Sequence, residues 1–381
     1  PNQGNYVLAS TTAVTNIYEF VSPENGVPQG NFEPIQQLIA PQKLEVAMVN
    51  GYYKLSKKTN IDYEIALSQN DKNLFSELDN DDNDGLATRL NITQNILKTQ
   101  DSLSVDVGID VNFIEDNFTS IQRLFNVEFT RDWNIENPRG NQLLTDAYTR
   151  LNWKDKIFST YRFQHLEFSE NFQGDKHQLQ SFIDWNPFQL QLNTSILNSD
   201  SEEFQSDFIR LNAQSTYSLG KYWIGANINL EDNEELNKIT DSLTAKSQRF
   251  TDYETFVGVG DSTSVYAKVG YRYRQTDSLS NGILGKASTS NDIYINSTLV
   301  KNKSSQVNVF ANYRKIKFEN IGFKDRSIVN ARLQYNQFLF NQKINLRTSY
   351  ETNSGSIARQ EFTFVQVEPG QGQYTWIDYN E

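Results

Sequence analysis

Apolar and polar residues alternate one by one in the stretch Val105-Asp106-Val107-Gly108-Ile109-Asp110-Val111-Asn112-Phe113. The same pattern occurs in Ile61-Asp62-Tyr63-Glu64-Ile65-Ala66-Leu67-Ser68. Successive side chains of a β-strand point to opposite faces of the sheet, so each stretch predicts a strand with one apolar and one polar face. Alternation and turn residues together predict about seventeen such strands along the chain. They lie at 43–56, 60–69, 86–98, 102–114, 143–153, 157–169, 177–186, 188–198, 207–219, 221–231, 249–259, 263–275, 289–300, 305–318, 326–340, 343–353 and 357–367.

Composition agrees with a sheet that is wet on one face. Hydrophobic residues make up 37% of the 381 residues, which is low for a globular chain of this length, and aromatic residues make up 13%, which is high. No run of about 18 apolar residues occurs, so no transmembrane helix is expected. The absence of cysteine excludes disulfides and thiol sites, and the net charge of −12 argues against a nucleic-acid partner.

The connectors between the expected strands alternate in length. Tight turns such as 57–59 and 99–101 are followed by long segments, which are expected at 70–85, 115–142, 171–176, 199–206, 232–249, 276–288 and 319–325. Successive turns of an up-and-down sheet lie at opposite ends, so this rhythm predicts one end with tight turns and one with loops, as in outer-membrane barrels. Segment 121–133 has strand character, but treating it as a loop preserves the alternation. The short turn at 354–356 falls where a long one is expected.

Arginines recur in the middle of the polar faces. Unpaired charges at such positions cost several kcal/mol in lipid or in a dry core, about 2 to 4 kcal/mol at the bilayer midplane, whereas they are tolerated in a water-filled lumen. The hypothesis is therefore a wide, charged lumen, because a small filled barrel has no room for so many guanidinium groups. The expected lumen-lining residues are Arg89, Arg150, Arg162, Arg210, Arg272, Arg314, Arg332 and Arg347.

Two constellations bear on chemistry. The stretch 79–85 is the densest group of oxygen ligands, and Asp79, Asp81, Asn83 and Asp84 are the expected ligands if it binds calcium; the alternative is a solvated hairpin loop. It departs from the EF-hand pattern, because its glycine falls one position late and no glutamate stands at the twelfth position. His165 and His177 are the only histidines. We expect ordinary strand residues there, with no catalytic site, because a barrel hydrolase would need one of them oriented by a carboxylate near a serine.

Both ends of the chain differ from its middle. Residues 1–42 contain Pro1, Pro23, Pro28, Pro34 and Pro41, and we expect a proline-punctuated lead-in, plug or extramembrane segment there. Residues 43–367 are the expected barrel wall, and 368–381 the expected start of a following module. The chain begins and stops in mid-pattern, so an internal fragment or a processed piece is expected.

Three stretches resemble segments of large, mostly uncharacterised envelope proteins of Bacteroidota. They are Asn25-Gly26-Val27-Pro28-Gln29-Gly30, Phe125-Asn126-Val127-Glu128-Phe129-Thr130-Arg131-Asp132-Trp133, and Gly370-Gln371-Gly372-Gln373-Tyr374-Thr375-Trp376-Ile377-Asp378-Tyr379-Asn380. The last also resembles, distantly, segments of the very large outer-membrane barrel of the type 9 secretion translocon. The resemblance covers under a tenth of the chain and implies an outer-membrane location and a barrel larger than this chain. It transfers no functional residues.

The expected fold is therefore all-β, an antiparallel up-and-down transmembrane β-barrel with about 16–18 strands, complete or part of a larger barrel. We expect it in the outer membrane of a Gram-negative bacterium, as a channel, an export or translocation component, or an envelope scaffold. Its expected partners are the lipid bilayer with its lipopolysaccharide, and other envelope or secretion proteins. No enzymatic activity is expected, and no cofactor other than calcium in a loop. The alternative is a surface-exposed amphipathic β-sheet adhesin or structural protein, whose apolar faces would be buried against another sheet.

Overall fold

The regular structure of this protein is almost entirely β. A computed structural model describes residues 4–11, 16–33, 40–76, 78, 81–100, 102–261, 265–280, 282–302, 304–319 and 324–355. The strands are β1 (Tyr6–Thr11), β2 (Asn16–Phe20), β3 (Lys43–Lys54), β4 (Thr59–Asp71), β5 (Asp84–Lys98), β6 (Leu103–Ile114), β7 (Gln142–Trp153), β8 (Ile157–Phe168), β9 (Phe172–Trp185), β10 (Phe188–Ser201), β11 (Phe204–Leu219), β12 (Tyr222–Asn237), β13 (Ser242–Leu243), β14 (Gln248–Gly260), β15 (Tyr266–Ser280), β16 (Ile283–Lys301), β17 (Ser305–Phe318), β18 (Arg326–Leu339) and β19 (Ile344–Gly355). One short helix, α1 (Phe129–Asp132), lies between β6 and β7 in the described part of the chain.

The strands from β3 to β19 form one up-and-down antiparallel sheet of 17 strands. Neighbours in the sheet are neighbours in the chain, except that β12 pairs with β14 along its length while β13 adds a two-residue ladder to the end of β12. Strands β1 and β2 pair separately. This order confirms the expected all-β, antiparallel, up-and-down fold.

Sixteen of the expected strands are confirmed, as β3–β12 and β14–β19. The expected strand at 357–367 lies outside the described residues, as does the expected module at 368–381. The segment 121–133 belongs to the β6–β7 connector and contains α1, so its interpretation as a loop is confirmed.

The expected rhythm of connector lengths is only partly confirmed. Long connectors follow β4, β6 and β17, but the ones expected at 171–176, 199–206 and 276–288 are wrong. There β8, β10 and β15 pair with the following strands much further than the hydrophobic alternation extends, as in the pairs Asp200↔Gln205 and Ser280↔Ile283. Both faces of these extensions are polar or mixed, so the alternation fades while the backbone ladder continues.

The chain folds as two compact units. The first comprises Pro1–Met48, Ala66–Leu86 and Asn117–Arg123, and the second comprises Val49–Ile65, Ala87–Asp116 and Leu124–Glu381. Within the first, isolated bridges join Gly4 to Gly30 and Tyr6 to Phe32. The eight arginines of the predicted lumen belong to the second unit. No helix in the described part of the chain is long and apolar enough to cross a membrane.

Candidate functional site on the arginine-bearing face

The register of the sheet places all eight predicted arginines on one face. Arg162 of β8 stands opposite Gln178, Gln178 opposite Ser195, and Ser195 opposite Arg210 of β11. The same rows continue through Arg210↔Glu231 and, further on, through Arg272↔Asp292 and Asp292↔Arg314. We call this the arginine-bearing face, and the opposite one the apolar face. That the arginines line a lumen stays a prediction.

Most of these arginines are ion-paired to carboxylates of the same face. Arg89 holds Asp110 with two guanidinium nitrogens, and its Nη2 lies 2.6 Å from Oδ2. Asp292 accepts from both Arg272 Nη2, at 3.0 Å, and Arg314 Nη2, at 2.8 Å. The remaining contacts are Arg162 with Asp146, Arg210 with Asp132, Arg332 with Glu351, and Arg150 with the ring of Tyr148 at 4.7 Å; Arg347 is exposed. Such charge-assisted pairs keep guanidinium groups in fixed positions along the face.

On β12 and β14–β16, the burial of the two faces is reversed relative to a soluble sheet. On the arginine-bearing face, Asp292 is 2% exposed and Asp252 is 4% exposed, whereas Ile224 and Val257 on the apolar face are 51% and 53% exposed. Each long strand from β10 to β19 presents a large exposed apolar side chain on that face, among them Ile196, Ile209, Ile224, Tyr253, Val269, Ile293, Tyr313, Leu333 and Leu346. Contiguous exposed apolar surface of this extent is typical of a face that contacts another protein or a membrane.

The part of the β6–β7 connector that belongs to the second unit, residues 124–141, lies against the arginine-bearing face. Its Trp133 is 2% exposed and is the centre of the hydrophobic core. The buried core residues are Trp133, Ile135, Leu144, Leu166, Phe172, Leu197 and Phe208. Leu166 and Phe208 share a face with Arg162 and Arg210, because they lie an even number of residues away on the same strands. The ammonium group of Lys176 lies 4.0 Å from the Trp133 ring centroid, a cation–π contact.

Ion pairs fix α1 to two strands. Arg131 Nη2 donates to Glu231 Oε1 at 2.6 Å, and Arg210 Nη1 donates to Asp132 Oδ1 at 2.5 Å. Glu231 is only 8% exposed, so the first pair is screened less than a surface pair. Arg210 Nε and Nη2 are buried without a hydrogen-bond partner, and Nε lies 3.6 Å from Glu231 Oε2. The adjacent helical residues Arg131 and Asp132 therefore carry opposite charges, and they form ion pairs with Glu231 on β12 and Arg210 on β11.

Two further contacts hold the segment after α1. The Asn134 side chain donates to Asn233 Oδ1 at 2.6 Å and receives a longer bond of 3.4 Å in return. Glu136 contacts the ammonium group of Lys246 in the connector before β14. Burial lowers the pKa of Lys246, while the carboxylate beside it favours the charged form. The connector is thus anchored by polar contacts around a buried tryptophan, and it covers part of the face that carries the arginines.

Glycines allow aromatic rings to lie flat across this face. The rings of Tyr148, Trp223, Phe256 and Tyr294 each cover a cross-strand glycine, in the pairs Gly108–Tyr148, Gly258–Trp223, Gly225–Phe256 and Gly270–Tyr294. A Cβ at any of these glycines would meet ring atoms. Aromatic rings that cover strand glycines fix the register of a curved sheet.

A cavity of about 600 Å³ lies beside three of the arginines. Its lining includes Arg89, Arg150 and Arg162 together with the carboxylates of Asp62 and Glu64. Tyr148 is buried between Arg150 and Arg162, whose guanidinium carbons lie 4.7 and 5.2 Å from its ring centroid. The cavity is therefore polar and carries charges of both signs.

The two histidines do not come together as a pair. His165 Nδ1 lies 2.8 Å from Asp175 Oδ1, and His177 Nδ1 lies 2.7 Å from the Tyr161 hydroxyl. Both histidines lie on the apolar face. Among the described contacts of His165 there is no serine. That the protein has no enzymatic activity stays a prediction.

The predicted calcium ligands are only partly within the described residues. Asp79 lies outside them, and Asn83 is buried at 8% exposure. No group of three or more His, Cys, Asp or Glu residues that could hold a metal ion occurs in the described part of the chain. Calcium binding stays a prediction.

Sequence reasoning found the arginines but missed the connector that covers them. The sequence did contain a signal for this helix and its buried tryptophan. Three aromatic residues, Phe125, Phe129 and Trp133, are spaced four residues apart in a segment interpreted as a loop. The stacking of Phe125 on Phe129, with centroids 4.1 Å apart, shows what that spacing does. No protein-family model matches the chain, and no curated protein matches it.

Proposed function

We propose that this protein is an outer-membrane β-barrel whose sheet closes on itself, with the arginine-bearing face toward a water-filled passage and the apolar face toward lipid. The observation that carries the proposal is the reversed burial of the two faces. Buried, ion-paired carboxylates on one side and half-exposed isoleucines and valines on the other suit a protein whose outer solvent is hydrocarbon.

The height of the apolar belt supports this proposal. On β12 the belt runs from Tyr222 to Leu230, and beyond it on the same face come Asp232 and Glu234, both bonded to Arg249. Eight residue steps of about 3.4 Å give about 27 Å along the strand. A strand tilt of about 40° reduces this to about 21 Å, close to the apolar band of about 25 Å on outer-membrane barrels.

The end of the belt near the β7–β8 and β9–β10 turns carries the residues that favour a membrane interface. Trp153 and Trp185 pack with ring centroids 5.2 Å apart, and Lys154 and Lys156 lie over their rings at 5.5 Å. Phe188 follows Trp185 in the next strand, as its cross-strand partner. Aromatic girdles flanked by basic residues occur where barrel strands leave the hydrocarbon region.

The β6–β7 connector gives the passage a restriction. Its contacts to β11 and β12 hold a buried tryptophan and two charged residues against the arginine-bearing face. We therefore assign the protein to passage of polar solutes through a narrowed lumen. In the adhesin alternative the apolar face would be buried against another sheet.

Fractionation and electrophoresis test the barrel. After expression in a Gram-negative host, the protein is expected in the outer-membrane fraction and is expected to migrate faster on detergent gels before boiling than after it. A protein that remains soluble without detergent and migrates identically before and after boiling would overturn the proposal.

Planar-bilayer recording tests the passage and the restriction. The wild-type protein is expected to give discrete conductance steps. Replacing the buried Trp133 by alanine removes a side chain whose truncation costs about 3–5 kcal/mol in a packed core, so the connector should detach and the conductance should rise. Val127→Ala is the matched control, because Val127 lies in the same connector and is 76% exposed. Equal conductance in both variants and the wild type would show that the connector restricts nothing.

A further inference from the structure

Two cross-strand rows of carboxamides lie side by side on the arginine-bearing face of β9–β12. The first row joins Gln180, Asn193, Asn212 and Asn229. The second row, two residues nearer the β9–β10 and β11–β12 turns, joins Gln191, Gln214 and Asn227. We call these seven residues the carboxamide patch. Adjacent strands are about 4.8 Å apart, so the first row spans about 14 Å across the sheet.

The patch has unused hydrogen-bonding capacity. Each carboxamide offers two donors and an acceptor with two lone pairs. Asn212 donates to Asn229, and Asn227 donates to Glu254 at 3.0 Å, while Asn227 Oδ1 is buried without a partner. Gln180, Gln191, Asn193, Asn212 and Gln214 are exposed. A ligand on this surface meets a regular array of paired donors and acceptors.

The patch carries no charge of its own. Most charged groups of the neighbouring rows are engaged with one another: Arg210 with Asp132, and Glu254 with Lys268 at 3.1 Å. The exception is the exposed Asp184, which accepts a hydrogen bond from the side chain of Gln189 at 3.0 Å. A cavity of about 280 Å³ adjoins the first row, and its lining includes Asn193, Asn212 and Asn229 together with the charged Asp132, Arg210 and Glu231. Because those three charges are paired with one another, the groups left to bind a ligand in the recess are mainly neutral donors and acceptors, which favour an uncharged, hydroxyl-rich ligand.

Exposed aromatic rings flank the patch on the same face. Phe182 is the cross-strand partner of Gln191, at the end of the second row, and Phe158 is the partner of Phe182 on β8. They are 44% and 43% exposed. Lipid contact cannot account for them, because they lie on the face opposite the apolar belt. Aromatic faces beside a few polar groups are typical of sites that bind ligands with both apolar and polar surfaces.

We propose that the carboxamide patch binds a neutral oligosaccharide. Sugar hydroxyls both donate and accept, as carboxamides do, and the apolar face of a pyranose ring can stack on Phe182 or Phe158. A peptide would bind most strongly by adding a strand at a sheet edge. Strands β9–β12 are each paired on both sides, so a peptide backbone finds no free edge there.

This inference rests on the proposed function only in taking the arginine-bearing face as open to water. It is tested by calorimetric titration of the full chain in detergent micelles with maltohexaose, cellohexaose and xylohexaose, and with an uncharged hexapeptide of serine and glycine. At least one oligosaccharide is expected to bind. Asn212→Leu should weaken that binding by about fivefold to tenfold, as expected for one or two lost hydrogen bonds.

A matched control uses a carboxamide outside the patch. Gln334 is an exposed residue of the arginine-bearing face on β18, so Gln334→Leu should leave the affinity unchanged. If Asn212→Leu does not fold, as judged by its migration before and after boiling, Phe182→Leu replaces it with the same expected loss of affinity. Binding of the peptide alone, binding of no oligosaccharide, or equal affinity in patch and control variants would overturn the inference. Because binding is measured in micelles, it succeeds or fails separately from conductance, on which the proposed passage depends.

Discussion

An arginine placed at the middle of the apolar belt separates lipid contact from protein contact. Ala226 lies midway between Tyr222 and Leu230 on β12, and its cross-strand neighbours on the apolar face are Ser215 and Thr255. These neighbours are small, so a longer side chain can extend away from the sheet without a clash. Any large destabilisation of Ala226→Arg therefore reports the medium that covers the belt.

The expected cost depends on depth. In a bilayer, arginine at the midplane of a barrel costs about 2–4 kcal/mol, and near the interface about 0–1 kcal/mol. Ala226→Arg should therefore lower the free energy of unfolding by about 2–4 kcal/mol. Tyr222→Arg, at the end of the belt, should lower it by far less, because the electrostatic cost of arginine is small near the interface. Gln214→Arg, exposed on the arginine-bearing face, should stay within about 0.5 kcal/mol of the wild type.

Reversible denaturant unfolding from phosphatidylcholine vesicles, followed by the fluorescence of the five tryptophans, measures these differences. The decisive result is the order of the three variants. A loss that is equal for Ala226→Arg and Tyr222→Arg, or greatest for Gln214→Arg, would refute the assignment of the apolar face to lipid.

Two further pairs of substitutions test the packing of the arginine-bearing face, each by the denaturation midpoint of the folded protein. Gly270→Ala should destabilise the protein by about 1–3 kcal/mol, because the new methyl group meets the Tyr294 ring. Nothing lies near a Cβ at Gly285, so Gly285→Ala should be neutral or slightly stabilising. Equal effects of the two substitutions would mean that the ring moves freely. Asp292→Asn should cost about 3–5 kcal/mol, since it leaves two guanidinium groups short of a buried partner, while Glu351→Gln, at an ion pair with both side chains more than half exposed, should cost at most about 1 kcal/mol. A small loss for Asp292→Asn would show that water reaches the pair.

The strands were predictable because the sheet has two unlike faces. Where Val105 to Phe113 alternates, each apolar residue faces one side and each polar residue the other, and β6 runs through the whole stretch. The side of the sheet on which each arginine lies was predictable from the same period of two. A shift of one residue in a strand would have placed its arginine on the apolar face.

Strand ends were not predictable, because they extend beyond the belt. Past Leu230, β12 continues through Asp232 and Glu234, whose side chains bond to Arg249 on the neighbouring strand. These polar cross-strand contacts stabilise the ladder without producing alternation, so an acidic run reads as a loop. The connector at 232–249 was therefore expected to start six residues too early, because β12 ends at Asn237.

The β6–β7 connector was beyond sequence reasoning for a different reason. Its side chains pair with residues about one hundred positions away, as Arg131 does with Glu231, and no local period encodes such a pairing. Nor could the sequence show that Leu166, Leu197 and Phe208 are core residues, since on a face carrying arginines they look like exceptions to the polar pattern. They become a core only once Trp133 is inserted among them.

The charges of the arginine-bearing face and its carboxamides divide the face into two kinds of surface. One part of the face contains ion pairs among Arg131, Asp132, Arg210 and Glu231, and these pairs also hold the connector in place. Next to them, the carboxamide rows leave donors and acceptors free and uncharged. A charged solute crossing this face would have to compete with ion pairs that already exist, whereas a neutral polyhydroxylated solute would displace only water from the carboxamides. In the proposed passage, the polar face therefore favours selection by hydrogen bonding over selection by charge, although arginine is its most conspicuous residue.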